Sequence, residues 1–196
     1  EKNKFLLNSQ TLFASTYPFF AIFGPFISEI FLILAVLFFA IRVVLNSNYK
    51  YFKKYFILIF FSSFIYFIFN SIIISKDPTL SFQASLFFCR FGLFALVIWN
   101  LLEENQNFIK YILSSLILIL ILLIIDSTFQ YFSGYNFFGY KYDGIRLASF
   151  LGDEYVLGSF LWKMEVLLLI FYQMFFKENK KFDFYIIVLV ILIDIL

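Results

Sequence analysis

The chain has 196 residues, of which 63% are hydrophobic, 33 are Phe and only 14% are charged, with a mean hydropathy of +0.92 and a net charge of +2. Soluble domains carry about 25% charged residues, so this is the composition of an integral membrane protein, and so small a net charge excludes a nucleic-acid partner held by a basic patch. With no His and with Cys89 as the single cysteine, these residues hold no Ser/His or Cys/His pair, no His or thiolate metal site and no internal disulfide; no cofactor is expected.

In chain order, six complete spans and a truncated seventh are predicted: about Phe5 to Phe23, Phe26 to Leu45, Tyr55 to Ile74, Phe82 to Leu102, Phe108 to Ile125, Tyr155 to Phe176, and from Phe184 onward. Each complete one is near the ~20 residues that cross ~30 Å of hydrocarbon. The expected fold is an all-α polytopic transmembrane helix bundle, a single domain over residues 1–196 with an outer loop at 126–153 between spans five and six. Gly24 and Pro25 separate the first two spans, because proline cannot continue a helix but can start the next. The first span lacks a small-residue cleavage site and is read as retained. Since the chain starts at Glu1 and stops at Leu196 inside the short apolar run YIIVLVILIDIL, it is expected to be a fragment of a longer protein.

Cytoplasmic loops retain Lys and Arg. One set of loops and ends holds Lys2, Lys4, Arg42, Lys50, Lys53, Lys54, Lys110, Lys177, Lys180 and Lys181, and the alternating set only Lys76, Lys141 and Arg146. This asymmetry places the N-terminus in the cytoplasm and the 126–153 loop outside.

Candidate chemistry rests on polar groups kept where lipid makes them costly. Arg90 and Lys163 lie within spans, each about 12 Å from the outer end at ~1.5 Å per residue, and Glu165 is slightly deeper. A charge there costs about 3 kcal/mol on insertion scales and faces a polar partner or a wet cavity. Two readings stay open: Glu165 pairs with Arg90 or Lys163 to fix packing, or the cations line an outward cavity for an anionic headgroup. In the loop, Arg146 suits bidentate phosphate binding and Lys141 a mobile point charge. The aromatics Tyr131, Phe132, Tyr135, Phe137, Phe138, Tyr140 and Tyr142 read as an interfacial belt or as a sugar groove. Asp153 is placed as the N-cap of the sixth span with Glu154 in its first turn. Glu154, Gly158, Leu161 and Glu165 are then expected on one face, and Glu29 at the interface.

The run Asp126 to Leu161, with its D, FQ, G, N, FG, R, FLGDE and VLGSFL followed by Lys163, resembles the O-antigen ligase and polymerase family of bacterial envelope glycosyltransferases. The GPFISEI run at Gly24 to Ile30 and the pair Arg90 and Phe91 are similar to that family as well. The resemblance covers the N-terminal half of a family member. It implies a bacterial inner-membrane, multi-pass enzyme of lipopolysaccharide or polysaccharide biosynthesis. Such an enzyme takes a glycan from a polyprenyl diphosphate to a lipid or glycan acceptor on the periplasmic side, without a metal. It further implies a donor-diphosphate site at Arg146, Lys163 and Arg90, with the catalytic base beyond this chain; the residues themselves add Lys141, and Glu165, Asp153 and Glu154 as support. The competing readings are a polytopic transporter or lipid flippase with a path through Arg90, Lys163 and Glu165, and a non-catalytic membrane scaffold whose charges are packing pairs.

Overall fold

A computed structural model describes residues 2–53, 55–152, 156–175 and 180–195. These form seven α-helices: α1 Lys2–Phe20, α2 Pro25–Asn46, α3 Tyr55–Ile73, α4 Pro78–Glu104, α5 Phe108–Ser133, α6 Leu157–Phe175 and α7 Lys180–Ile195. No strand occurs among the described residues beyond a single antiparallel bridge between Tyr135 and Lys141. Among the described residues, four stretches are long and apolar enough to cross a membrane: Phe26–Asn46, Tyr55–Ile73, Pro78–Glu104 and Phe108–Ser133.

The α1–α2 break falls where Gly24 and Pro25 predict it. A 3-10 turn, Ala21–Phe23, follows α1; Gly24 then takes φ 103°, a left-handed conformation open to glycine, and Pro25 starts α2. The fifth span is longer than expected. Helix continues through Asp126 and Gln130 to Ser133, so the first part of the presumed loop is helical. Hydroxyls of Ser127 and Thr128 donate to the carbonyls of Leu123 and Ile124 one turn back, which lets short polar residues stay in the helix.

The helices group into two compact units, one of residues 1–14 and 29–108, the other of residues 15–28 and 109–196. In the first, Leu32, Ala35 and Phe39 of α2 and Leu96, Val97 and Leu101 of α4 are buried at helical spacing. Helix α3 lies along α4 and is joined to it by Ser71 with Ser85, the kind of polar contact that holds helices together in lipid, while Ser75 of the connection pairs with Ser81 of α4. Asp77 caps α4, accepting from the Leu80 N–H and the Thr79 hydroxyl, and these bonds hold its carboxyl below the usual range. In the second unit, Leu116, Ile119, Leu120 and Leu123 of α5 form a core with Leu157, Leu161 and Leu168 of α6 and with Ile186 and Ile193 of α7.

Gly92 sets the α3–α4 distance. A Cβ there would come within 2.1 Å of the Phe60 ring, so Gly92→Ala overpacks the contact at a cost of about 1–3 kcal/mol. The variant should leave less monodisperse protein after heating in detergent, and adding Phe60→Leu should restore part of it. Heat resistance unchanged by Gly92→Ala would mean that α3 does not rest on this contact.

Candidate functional site

Two clusters of buried polar side chains are built from helical residues, one in each unit. In the second unit, four polar residues fasten the loop after α5. Asp126 and Gln130 lie one turn apart on the buried face of α5, and both are fully buried. Asp126 Oδ1 accepts the Phe137 N–H at 3.0 Å, and its Oδ2 accepts the Ser149 hydroxyl at 2.6 Å. Gln130 Oε1 accepts the N–H groups of Ala148 and Ser149 at 3.1 and 2.9 Å, while its amide donates to the Tyr140 carbonyl at 3.2 Å. Asn136 closes the turn, accepting from Phe138 and Tyr140 and donating to the Ser149 carbonyl.

These bonds order a small hairpin. Asn136 N–H donates to the Tyr140 carbonyl, and Tyr142 N–H to that of Gly134. Gly134 and Gly139, at φ 80° and 88°, make the reversals. Ser149 sits at φ 51°, which is uncommon for a residue with a Cβ, and is held there by Asp126, Gln130 and Asn136. The D, Q and N of the sequence pattern are therefore the groups that hold the loop, leaving its cations to face outward.

Arg146 follows directly on this hairpin. Asp143 Oδ1 accepts the backbone N–H of Ile145 and of Arg146, each at 2.9 Å. Asp143 thus fixes the backbone of a turn, and the Arg146 side chain is exposed, as is that of Lys141. Lys163, on α6, is also exposed. Glu165 is buried on the same face as Leu157, Leu161 and Leu168, whereas Gly158 is exposed; the expected face through Gly158 is thus displaced by about one residue. Asp153 and Glu154 lie outside the described residues, as does the cap they were assigned, and α6 begins at Leu157 rather than Tyr155.

Arg90 belongs to the first unit, and the expected carboxylate partner, Glu165, to the second. The carboxylate that meets Arg90 is Glu29 of α2, with Nη2 to Oε1 at 2.6 Å. Glu29 is therefore an ion-pair partner rather than a bystander at the interface. The Phe91 and Phe87 rings lie 5.0 and 5.8 Å from the guanidinium carbon, adding cation–π attraction. The pair is incompletely satisfied: Arg90 Nε and Glu29 Oε2 are buried without a hydrogen bond among the described residues.

The second cluster centres on Arg42, which the charge count places among the basic residues near the span ends. Arg42 continues the buried face of α2 set by Leu32, Ala35 and Phe39, and only 9% of its side chain is exposed. It donates through Nη1 to Gln10 Oε1 at 2.6 Å and Asn100 Oδ1 at 3.0 Å, and through Nη2 it pairs with Glu104. Glu104 also accepts from Asn100 and from the Tyr51 hydroxyl. Burial pushes the Tyr51 pKa up, which keeps that hydroxyl a donor. The adjoining cavity, about 10 Å³, has room for roughly one water and none for a substrate.

Compared with protein-family profiles, curated proteins and solved structures, the chain matches none.

Proposed function

We propose that the chain is the N-terminal part of an inner-membrane glycosyltransferase that moves an O-antigen-like glycan from a polyprenyl diphosphate to a lipid or glycan acceptor on the periplasmic side. In this reading all seven helices cross the membrane, α1 from a cytoplasmic N-terminus and α7 outward. The observation that carries it is an exposed Arg146 on a loop whose backbone is fixed at Asp126, Gln130, Asn136 and Asp143. A fixed backbone beneath an exposed guanidinium suits bidentate capture of phosphate oxygens.

As the acceptor hydroxyl forms its bond to the sugar's anomeric carbon, the bond to the diphosphate oxygen breaks and its electron pair stays with the leaving group. Arg146 stabilises the charge that develops there. Lys141, on the same loop, adds a second positive charge, and Lys163 is a candidate further contact. Arg90 carries less weight, because Glu29 already offsets its charge.

In membranes containing the full-length protein, Arg146→Ala should lower glycan transfer by about 10- to 100-fold, the worth of one or two charged hydrogen bonds. Arg146→Lys, which keeps the charge but loses the fork, should recover it in part. Full transfer by an Arg146→Ala protein of normal membrane abundance overturns the donor role. It would favour a scaffold reading, for which the Arg90–Glu29 and Arg42–Glu104 packing pairs are the supporting observation.

A further inference from the structure

The hairpin after α5 runs back toward the membrane. Helix α5 has 26 residues, about 39 Å at ~1.5 Å per residue, against ~30 Å of hydrocarbon. Its most apolar part ends at Asp126, and the helix then continues to Ser133, roughly 10 Å further. The chain reverses at Gly134, and the following residues descend beside the last two turns of α5. Tyr135 and Phe137 meet Phe129, with ring centroids at 5.8 and 4.6 Å, and the Phe137 N–H reaches Asp126.

The tip, Phe137, Phe138 and Gly139, therefore stands near the level at which the apolar part of α5 ends. Phe137 and Phe138 remain 58% and 59% exposed there. Two adjacent exposed Phe rings on a backbone locked in place match the boundary between headgroups and acyl chains, where aromatic side chains accumulate. The exposed Lys141 and Arg146 supply charge complementary to anionic headgroups.

We propose that residues 134–142 form a re-entrant aromatic wedge, whose tip at Phe137 and Phe138 inserts into the bilayer interface and sets the height of Lys141 and Arg146 at the lipid phosphates. The wedge depends on α5 crossing the membrane and on the hairpin lock, and not on which reaction the protein performs. Its signature is a reversal of depth along the chain: position 138 lies deeper than position 132, although 132 belongs to the membrane-crossing helix.

The test uses the full-length protein with Cys89→Ala, reconstituted in vesicles of phosphatidylethanolamine and phosphatidylglycerol. A nitroxide is placed singly at Phe138→Cys, Phe132→Cys, Leu118→Cys and Gln106→Cys. Accessibility to oxygen relative to a water-soluble nickel chelate should rank Leu118 deepest, then Phe138, then Phe132, with Gln106 in water. A second readout keeps an aromatic at the tip: Phe138→Trp, with Trp99, Trp162 and any further tryptophan of the full-length protein changed to Phe, should be quenched by lipids brominated near the headgroup. The wedge is overturned if position 132 is as deep as 138 or deeper. It is equally overturned if 138 is shielded from both oxygen and nickel, which would mean that protein, and not lipid, covers the tip.

Discussion

Arg42→Ala should sharply reduce the heat resistance of the protein in detergent, more than any exposed substitution. The guanidinium joins Gln10 of α1 to Asn100 and Glu104 of α4 from its own place on α2. Removing it leaves the Glu104 carboxylate facing the Asn100 amide and the Tyr51 hydroxyl without its cation. Breaking one side of a fully buried charge pair costs about 3–5 kcal/mol, and the 28% exposure of the Glu104 side chain brings the loss below that range. Tyr51 still donates to Glu104, so the loss falls short of a bare carboxylate in hydrocarbon. Arg42→Lys retains the charge but cannot serve Gln10, Asn100 and Glu104 at once, and should fall between. The double variant Arg42→Met with Glu104→Met should be more stable than Arg42→Ala, since replacing both partners by apolar groups removes the stranded charge. Measured as the monodisperse fraction after a heating series, an Arg42→Ala protein indistinguishable from the parent would show that the cluster is not a support of the first unit.

The cluster also marks the limit of what hydropathy makes legible. Long apolar runs predicted α2, α3, α4 and the inner part of α5, because burial of apolar side chains and crossing of lipid demand the same residues. Counting charges placed Arg42 at the basic end of the second span and gave it no partner. Its spacing from Leu32, Ala35 and Phe39 carries the better signal, since 10, 7 and 3 residues all return to one helix face. Asp126 misled in the opposite way, because one carboxylate ended the apolar run and was read as ending the helix. Helix continuation depends on backbone bonding, which Ser127 and Thr128 do not break. Of the candidate site, the exposure of Lys141 and Arg146 agrees with the turn residues around them. The partner of Arg90 was not, since Glu29 is 61 residues away and only tertiary packing brings it near.

Gln130→Leu should detach the loop while leaving the helix beneath it intact. The side chain accepts two buried N–H groups, those of Ala148 and Ser149, and adds a second donor to the Tyr140 carbonyl, which the Asn136 N–H also serves. Leu fills much of the same volume but offers no polar atom, and each of the two stranded N–H groups costs about 1–3 kcal/mol. That loss works against the remaining bonds at Asp126 and Asn136, so the loop should open to water instead. By hydrogen exchange in detergent, the amides of Phe137, Ala148 and Ser149 should exchange about 100-fold faster, an opening cost lowered by ~3 kcal/mol. Amides from Leu113 to Leu123, inside the apolar core, should be unchanged. Ser149 separates the hydroxyl bond from backbone strain. Ser149→Ala loses the bond to Asp126 and keeps a Cβ at φ 51°, whereas Ser149→Gly loses the same bond but relaxes a left-handed position by about 1 kcal/mol. Ser149→Ala should therefore exchange faster than Ser149→Gly at Ala148. The lock would be refuted by a Gln130→Leu protein whose loop amides stay as protected as the parent's, which would require other groups to hold residues 134–152 against α5.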